Sequence, residues 1–172
     1  MKQWIPIQGT NKEKILKVAL EEFSSKSFEE VNISELAQKA EMTTGAIYHH
    51  FGSKANLYAV IKAEMEQRII DRMEGAASLF DQPNERLEAA LTTGLDFIVK
   101  INITKLISEE IPETQTGKID RFFVTINEKN LPGLEYVLSS SWPSILQSLS
   151  EEKITTQQGK ELIRWLFKRK LD

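Results

Sequence analysis

The 172-residue chain has no cysteine. That absence excludes a disulfide scaffold, a thiolate zinc site and a cysteine nucleophile, and it fits a reducing compartment. Histidine is nearly as scarce. The only two, His49 and His50, are neighbours, and neighbours on a helix point about 100° apart, so they cannot ligate one metal ion together. There is no Gly-rich phosphate loop, and carboxylate pairs such as Glu109-Glu110 and Glu151-Glu152 sit on adjacent rather than facing positions. No apolar run approaches the roughly 20 residues that span a bilayer, and the opening stretch 1–7 is too short for a signal-peptide core. These absences predict a cytoplasmic protein that is not an enzyme and holds no metal or cofactor. The net charge of -3 argues against a generally basic coat. Any nucleic-acid contact must come from a local patch.

One stretch supplies such a patch. Between Met42 and Ala63 there is not one carboxylate, although acidic residues outnumber basic ones 25 to 22 in the chain. Within Ile33 to Lys54, a short helix with Ile33, Leu36, Ala37 and Ala40 on one face is broken at Glu41-Met42. Thr43 or Thr44 then offers a hydroxyl cap to a second helix that buries Ala46, Ile47 and Phe51. Two short helices joined by a tight turn describe a helix-turn-helix. The second helix exposes Thr43, Thr44, Gly45, Tyr48, His49 and His50, followed by Ser53 and Lys54. Hydroxyls, imidazoles, an ammonium and a glycine that permits close approach are groups that meet phosphates and base edges.

This run resembles the DNA-binding domain of the TetR family of transcriptional regulators over roughly residues 10 to 62. Ile15, Leu16, Ala19, Leu20, Phe23 and Phe28 are similar to that family's first helix and the aromatic after it. Thr44 to Phe51, with Lys54 and Leu57, are similar to its recognition helix and the start of its fourth. The family usually places Gly in the turn after helix 1 and in the helix-turn-helix turn. Ser27 and Glu41 stand there instead, and Glu41 must adopt another turn geometry or carry about 1 kcal/mol of left-handed strain. The resemblance implies a homodimer that binds double-stranded operator DNA, most simply a repressor released by a small molecule in the C-terminal domain. Helix 4 is the moving link. In this reading Thr44 and Gly45 approach base edges, Thr43 caps the helix beside them, and Tyr48, His49, His50 and Lys54 reach phosphates. Asn32 and Ser34, at the start of helix 2, add a helix N-terminus that suits a phosphate. The lysines of helix 1 and the arm before it are further backbone contacts. An alternative reading is a protein-interaction module of the same fold without operator binding, hinted at by the non-glycine turns.

The rest of the chain reads as all-α: a three-helix helix-turn-helix domain over 1–53, then a helical domain over 54–172 for ligand binding and dimerisation. Thr10 to Glu13 forms a capping-box pattern that starts helix 1, which runs to about Ser25. Asn32 to Glu35 starts helix 2. Ser53-Lys54 starts a long helix 4 to about Ala77, with Tyr58, Ile61, Met65, Ile69 and Met73 along one face. Pro83 breaks the pattern and Asn84 caps the next helix, which reaches Ile103 or continues through Ile107. Ile111-Pro112 to Gly117 reads as a loop, and 119–129 as a helix. A helix from Leu134 to Leu149 contains Pro143, and a last one starts near Thr156 and includes Leu171. Phe97, Ile101, Phe122, Phe123, Ile126 and Tyr136 are the candidate lining of an effector pocket of apolar character, with Asn102 or Asn127 as polar anchors. Leu138, Trp142, Ile145, Leu149, Leu162, Trp165 and Leu166 on the last two helices are the candidate dimer face.

Overall fold

The computed structural model describes residues 10–111, 117–127 and 131–167. The N-terminal arm, most of the loop after Ile111, the end of the 119–129 helix and Leu171 therefore lie outside the described residues. Those described contain nine helices and no strand. The first three are α1 (Asn11–Ser25), α2 (Ile33–Lys39) and α3 (Thr44–Phe51), and α4 (Lys54–Ala77) is the longest. Behind them come α5 (Pro83–Lys100), α6 (Thr104–Ser108), α7 (Lys118–Asn127), α8 (Leu134–Ser150) and α9 (Thr156–Phe167).

Side-chain caps set the first four helix starts. Thr10 Oγ1 accepts from the Glu13 amide, Asn32 Oδ1 from Ser34 and Glu35, Thr43 Oγ1 from Ala46, and Ser53 Oγ from Asn56. Each satisfies an amide that the first helical turn leaves unpaired. The start of α5 differs from the sequence reading. Gln82 is the cap residue, with no side-chain bond, and Pro83 is the first helical residue. Proline suits that place because its fixed φ is already helical and no amide is needed there, so Asn84 falls inside the helix. The end of α5 also differs. Asn102 takes φ 56°, and its amide and that of Ile103 bond back to Val99 and Ile98. This left-handed stop separates α5 from α6, where apolar spacing alone had allowed one continuous helix.

The buried apolar side chains form one continuous cluster from Ile15 to Phe167. α4 is its axis. Its Tyr58 packs on Phe23 of α1 and its Met73 against Gly94 of α5; these two, Leu57 and Ile69 are fully buried. At Gly94 of α5 an added Cβ would lie 2.2 Å from Met73 Cε, so the Met73 side chain packs directly on the α5 backbone there and would have to shift for a larger residue. The core thus runs without a break across the division expected between 53 and 54, carried by α4.

Candidate nucleic-acid interface and the cavity behind it

The helix-turn-helix turn is a complete left-handed stop built without glycine. Glu41 holds φ 58°. Its amide bonds to Gln38 O at 3.1 Å, and the Met42 amide bonds to Ala37 O at 2.8 Å, which is the paired pattern that normally ends on Gly. Ser27, at the other non-glycine turn, needs no positive φ. Its amide and hydroxyl both donate to the Glu30 carboxylate, at 2.8 and 2.7 Å. Those bonds, the amide's above all, hold the Glu30 carboxyl below its ordinary range.

α3 is pinned from below by buried Ile47 and Phe51. Ala46, a buried candidate by spacing and otherwise a methyl contact for a base, is half-buried. On the outer side Thr43, Gly45, Tyr48, His49 and His50 are exposed and Thr44 is half-exposed, while Asn32 and Ser34 are exposed at the start of α2. The His49 and His50 rings meet edge-on at 5.4 Å. Gly45 is informative because the fold does not require it. A Cβ there would meet only Thr43 Oγ1, at 3.8 Å, whereas glycine costs a helix up to about 1 kcal/mol against alanine. Lys54, at the mouth of α4, rests 4.6 Å from the centre of the Phe28 ring and donates one bond to Glu29 O. That anchors the ammonium beside the α3–α4 junction.

The scaffold beneath is braced by charge. Glu22 is 6% exposed and accepts from Lys26 of the turn, at 2.8 Å, and from Lys39 of α2. These two ammonium groups, Lys26 first, hold its carboxyl below the usual range. A second brace joins the turn after α1 to the residue after α6. Both Glu109 carboxylate oxygens accept from the Phe28 amide, at 2.9 and 3.0 Å. Tyr58 donates to Leu106 O at 3.0 Å and reaches Glu109 Oε2 at 3.4 Å. Burial, reinforced by the Glu109 charge, pushes the Tyr58 hydroxyl well above its ordinary range, so it remains a donor. Phe28, Phe23 and Tyr58 close the joint as a ring cluster with centroids 5.0 to 6.2 Å apart. Neither Glu109 nor Lys62 was singled out as a site residue from the sequence. For Lys62 the signal was available: it and Glu66 fall on the same stripe of α4 as Tyr58 and Ile69, so two charges enter a buried face.

Behind this joint a cavity of about 170 Å³ opens between α4, α6, α7 and α8, with Lys62, Glu66, Ile107, Phe123, Trp142 and Leu146 in its wall. Of the six residues expected to line an effector pocket, only Phe123 does so. Tyr136 is 75% and Ile101 38% exposed. Phe97 lies under the Arg72 guanidinium, Phe122 is buried in the core and Ile126 packs against it. Of the proposed anchors, Asn102 forms the α5 stop with its backbone, and the Asn127 amide nitrogen donates to Leu131 O and the Glu135 carboxylate while its buried side-chain oxygen has no partner among the described residues. A helical period identifies an apolar face but not whether that face borders a cavity or closes on a neighbour. The dimer candidates divide for the same reason. Leu138, Trp142 and Ile145 are core, and Leu149 and Leu166 are half-buried against it. Leu162 and Trp165 remain exposed on α9, at 45% and 73%, and Tyr136 and Val137 are exposed on α8; Trp165 and Val137 line one groove.

Residues 15–61 match the family pattern described as bacterial regulatory proteins, tetR family. Over 91 residues, 52% of the chain, the sequence is 26% identical to the probable acrEF/envCD operon repressor of Escherichia coli K12, and this match spans 41% of that protein. It is 26% identical over 135 residues to the HTH-type transcriptional regulator QacR of Staphylococcus aureus Mu50, covering 71% of this chain and 72% of the relative. Among solved structures, a transcriptional regulator of the TerR/AcrR family from Aquifex aeolicus VF5 is 28% identical and superposes with a TM-score of 0.61 over 92% of this chain and 98% of that one. Among the described residues no helix is long and apolar enough to cross a membrane, and no group of acidic or histidine side chains could hold a metal ion. Helix-turn-helix geometry and family pattern coincide over residues 15–61, and there the chain is similar to the tetR family of bacterial regulatory proteins.

Proposed function

We propose that the chain is a sequence-specific DNA-binding regulator that acts as a homodimer, most simply as a repressor released by a small molecule. The observation that carries this reading is the outer face of α3. Five exposed or half-exposed polar residues, Thr44, Tyr48, His49, His50 and the capping Thr43, stand around a glycine that the fold does not need, on a helix without carboxylates. Thr44 and Gly45 are assigned to base edges, and Tyr48, His49, His50, Lys54 and the α2 start at Asn32 and Ser34 to phosphates. The relatives described as an operon repressor and a transcriptional regulator support the same reading.

Two copies are needed because recognition helices must meet successive major-groove faces about 34 Å apart. The dimer face is assigned to Leu162, Trp165, Tyr136 and Val137, since their exposure leaves apolar surface that a second copy can cover. The domain division at 53/54 makes α4 the lever between effector and DNA. A small molecule then lowers DNA affinity by favouring a state with misplaced α3 helices.

Fluorescence anisotropy on labelled fragments from the chain's own upstream region, against scrambled DNA at two salt concentrations, tests the proposal. Selective, salt-sensitive binding that saturates at two chains per site is expected. Equal, feeble binding to both DNAs, followed by an empty genome-wide fragment selection, would leave the interaction-module reading of the same fold.

A further inference from the structure

The chain's only two histidines, His49 and His50, both stand in the last turn of α3 and are exposed. Imidazole is the side chain whose charge ordinarily changes near neutral pH, so all of the chain's histidine chemistry lies on the face assigned to DNA. A neutral ring offers a phosphate one N–H; a protonated ring offers two, with a full positive charge. The two rings meet edge-on at 5.4 Å. Two imidazolium charges at that spacing repel each other, and phosphates beside them offset the repulsion. The partial negative charge at a helix C-terminus also suits a cation in this place.

The charged groups on the surrounding helices leave this place to an outside anion. The nearest cations by contact are Lys12 of α1, 5.8 Å from the centre of the Phe51 ring, and Lys54 of α4, held on Phe28. The carboxylates of α1, α2 and the turn pair with lysines: Glu22 with Lys26 and Lys39, Glu35 with Lys26, and Glu41 with Lys14. Glu13 and Glu21 complete the acids of α1, and the first carboxylate of α4 is Glu64, which pairs with Arg68. Among the described residues no ion pair joins a carboxylate to His49 or His50. We infer that DNA binding by this chain takes up protons at His49 and His50, so that affinity rises as the pH falls through the neutral range and acid tunes the regulator. This adds a regulation to the proposed DNA face and rests on that reading. A histidine whose proton is held about tenfold more tightly beside a phosphate strengthens binding about sixfold between about pH 8 and about pH 6.

Fluorescence anisotropy of the full chain on a labelled fragment of its upstream region and on a scrambled duplex, from about pH 8 to about pH 6 at fixed ionic strength, tests this. A rise in affinity of at least about sixfold toward acid is expected on both DNAs, because phosphate contacts carry no sequence information. The double variant His49→Gln/His50→Gln keeps a donor at each position and should lose the pH dependence. Lys54→Ala should bind more weakly at every pH and keep the same ratio between acid and alkaline affinity. Calorimetry of the unaltered chain with the same DNAs, in two buffers of different ionisation heat, counts protons and should show net uptake. That count decides the matter even if the double variant folds poorly. Equal affinity across the pH range with no proton uptake, or a pH dependence that survives the double variant, overturns the inference and leaves the DNA reader in place. No binding to either DNA at any pH removes both.

Discussion

Glu109 joins the two halves of the molecule, and its removal gives a measurable local effect. Its carboxylate accepts twice from the amide of Phe28, 81 residues away in sequence, and once more weakly from Tyr58. In Glu109→Ala the Tyr58 hydroxyl retains Leu106 O, and the Lys62 bond survives because it ends on the backbone oxygen. The loss is therefore confined to the Phe28 amide. A hydrogen bond to a charged group contributes about 1.5–3 kcal/mol, and the half-exposed setting of Glu109 favours the lower end. About 1.5 kcal/mol corresponds to roughly tenfold faster opening. Hydrogen exchange of the Phe28 amide, read by NMR, should accelerate about tenfold. Glu109→Gln keeps one acceptor and should fall in between. The Ala40 amide, bonded within α2, is the control. If Phe28 exchange stays within about twofold of the parent, the bond does not hold the joint. If Phe28 and Ala40 accelerate equally, the effect is global and the local reasoning fails.

Four further outcomes follow from named contacts. Lys54→Ala should lower the slope of log affinity against log salt by about one and weaken binding to all DNA sequences alike; an unchanged slope would restrict Lys54 to its place on Phe28. Glu22→Gln should cost about 1–2 kcal/mol at neutral pH. Because the Glu22 carboxyl is held below its ordinary range, its contribution is present above that range and fades as the pH falls through the lowered value. The difference in Tm between parent and variant should therefore shrink on acidification, and a difference that grows contradicts the brace. Glu41→Gly should raise stability by about 0.5–1 kcal/mol in denaturant melts by relieving the left-handed φ, since the exposed ion pair with Lys14, at 3.9 Å, contributes little. Trp165→Ser should move the chain from dimer to monomer in sedimentation at micromolar concentration with no loss of helix; an unchanged dimer removes α9 from the interface.

Much of the helix-turn-helix was legible because its signals are local. Thr10, Asn32, Thr43 and Ser53 announce their helices by hydroxyl or amide chemistry that acts within three residues. The carboxylate-free surface of α3 is likewise a property of consecutive residues. The C-terminal half was legible as helices and not as surfaces. Trp142 and Trp165 sit on successive apolar stripes of the last two helices, yet one is core at the cavity wall and the other is 73% exposed. Only the packing of α6 and α7 against α8 distinguishes them, and that is a long-range fact. Asn102 shows the same limit on a smaller scale: a single left-handed residue decides where α5 stops, while the apolar pattern on either side runs on unbroken.

The least legible part is the route from cavity to DNA, because it is made of bonds that join distant segments. Lys62 and Ile107 stand in the cavity wall. One residue pair on, the Lys62 ammonium holds Glu109 by its backbone, and Glu109 holds Phe28 by its carboxylate. Phe28 in turn carries Lys54 on its ring, and Lys54 opens the helix that follows α3. A displacement of α6 would therefore reach the α1–α2 turn and the start of α4 through Lys62, Glu109, Phe28 and Lys54, with only the Phe28 ring packed on the apolar core. Close-packed interiors resist gradual deformation, so a polar chain with a few exchangeable bonds is the softer path. The exchange rate of the Phe28 amide is thus a sensor for that path. If a small molecule fills the cavity and the route is used, Phe28 exchange changes with the same saturation curve as the binding of that molecule. If the cavity fills while Phe28 exchange stays constant, the signal must travel along α4 itself.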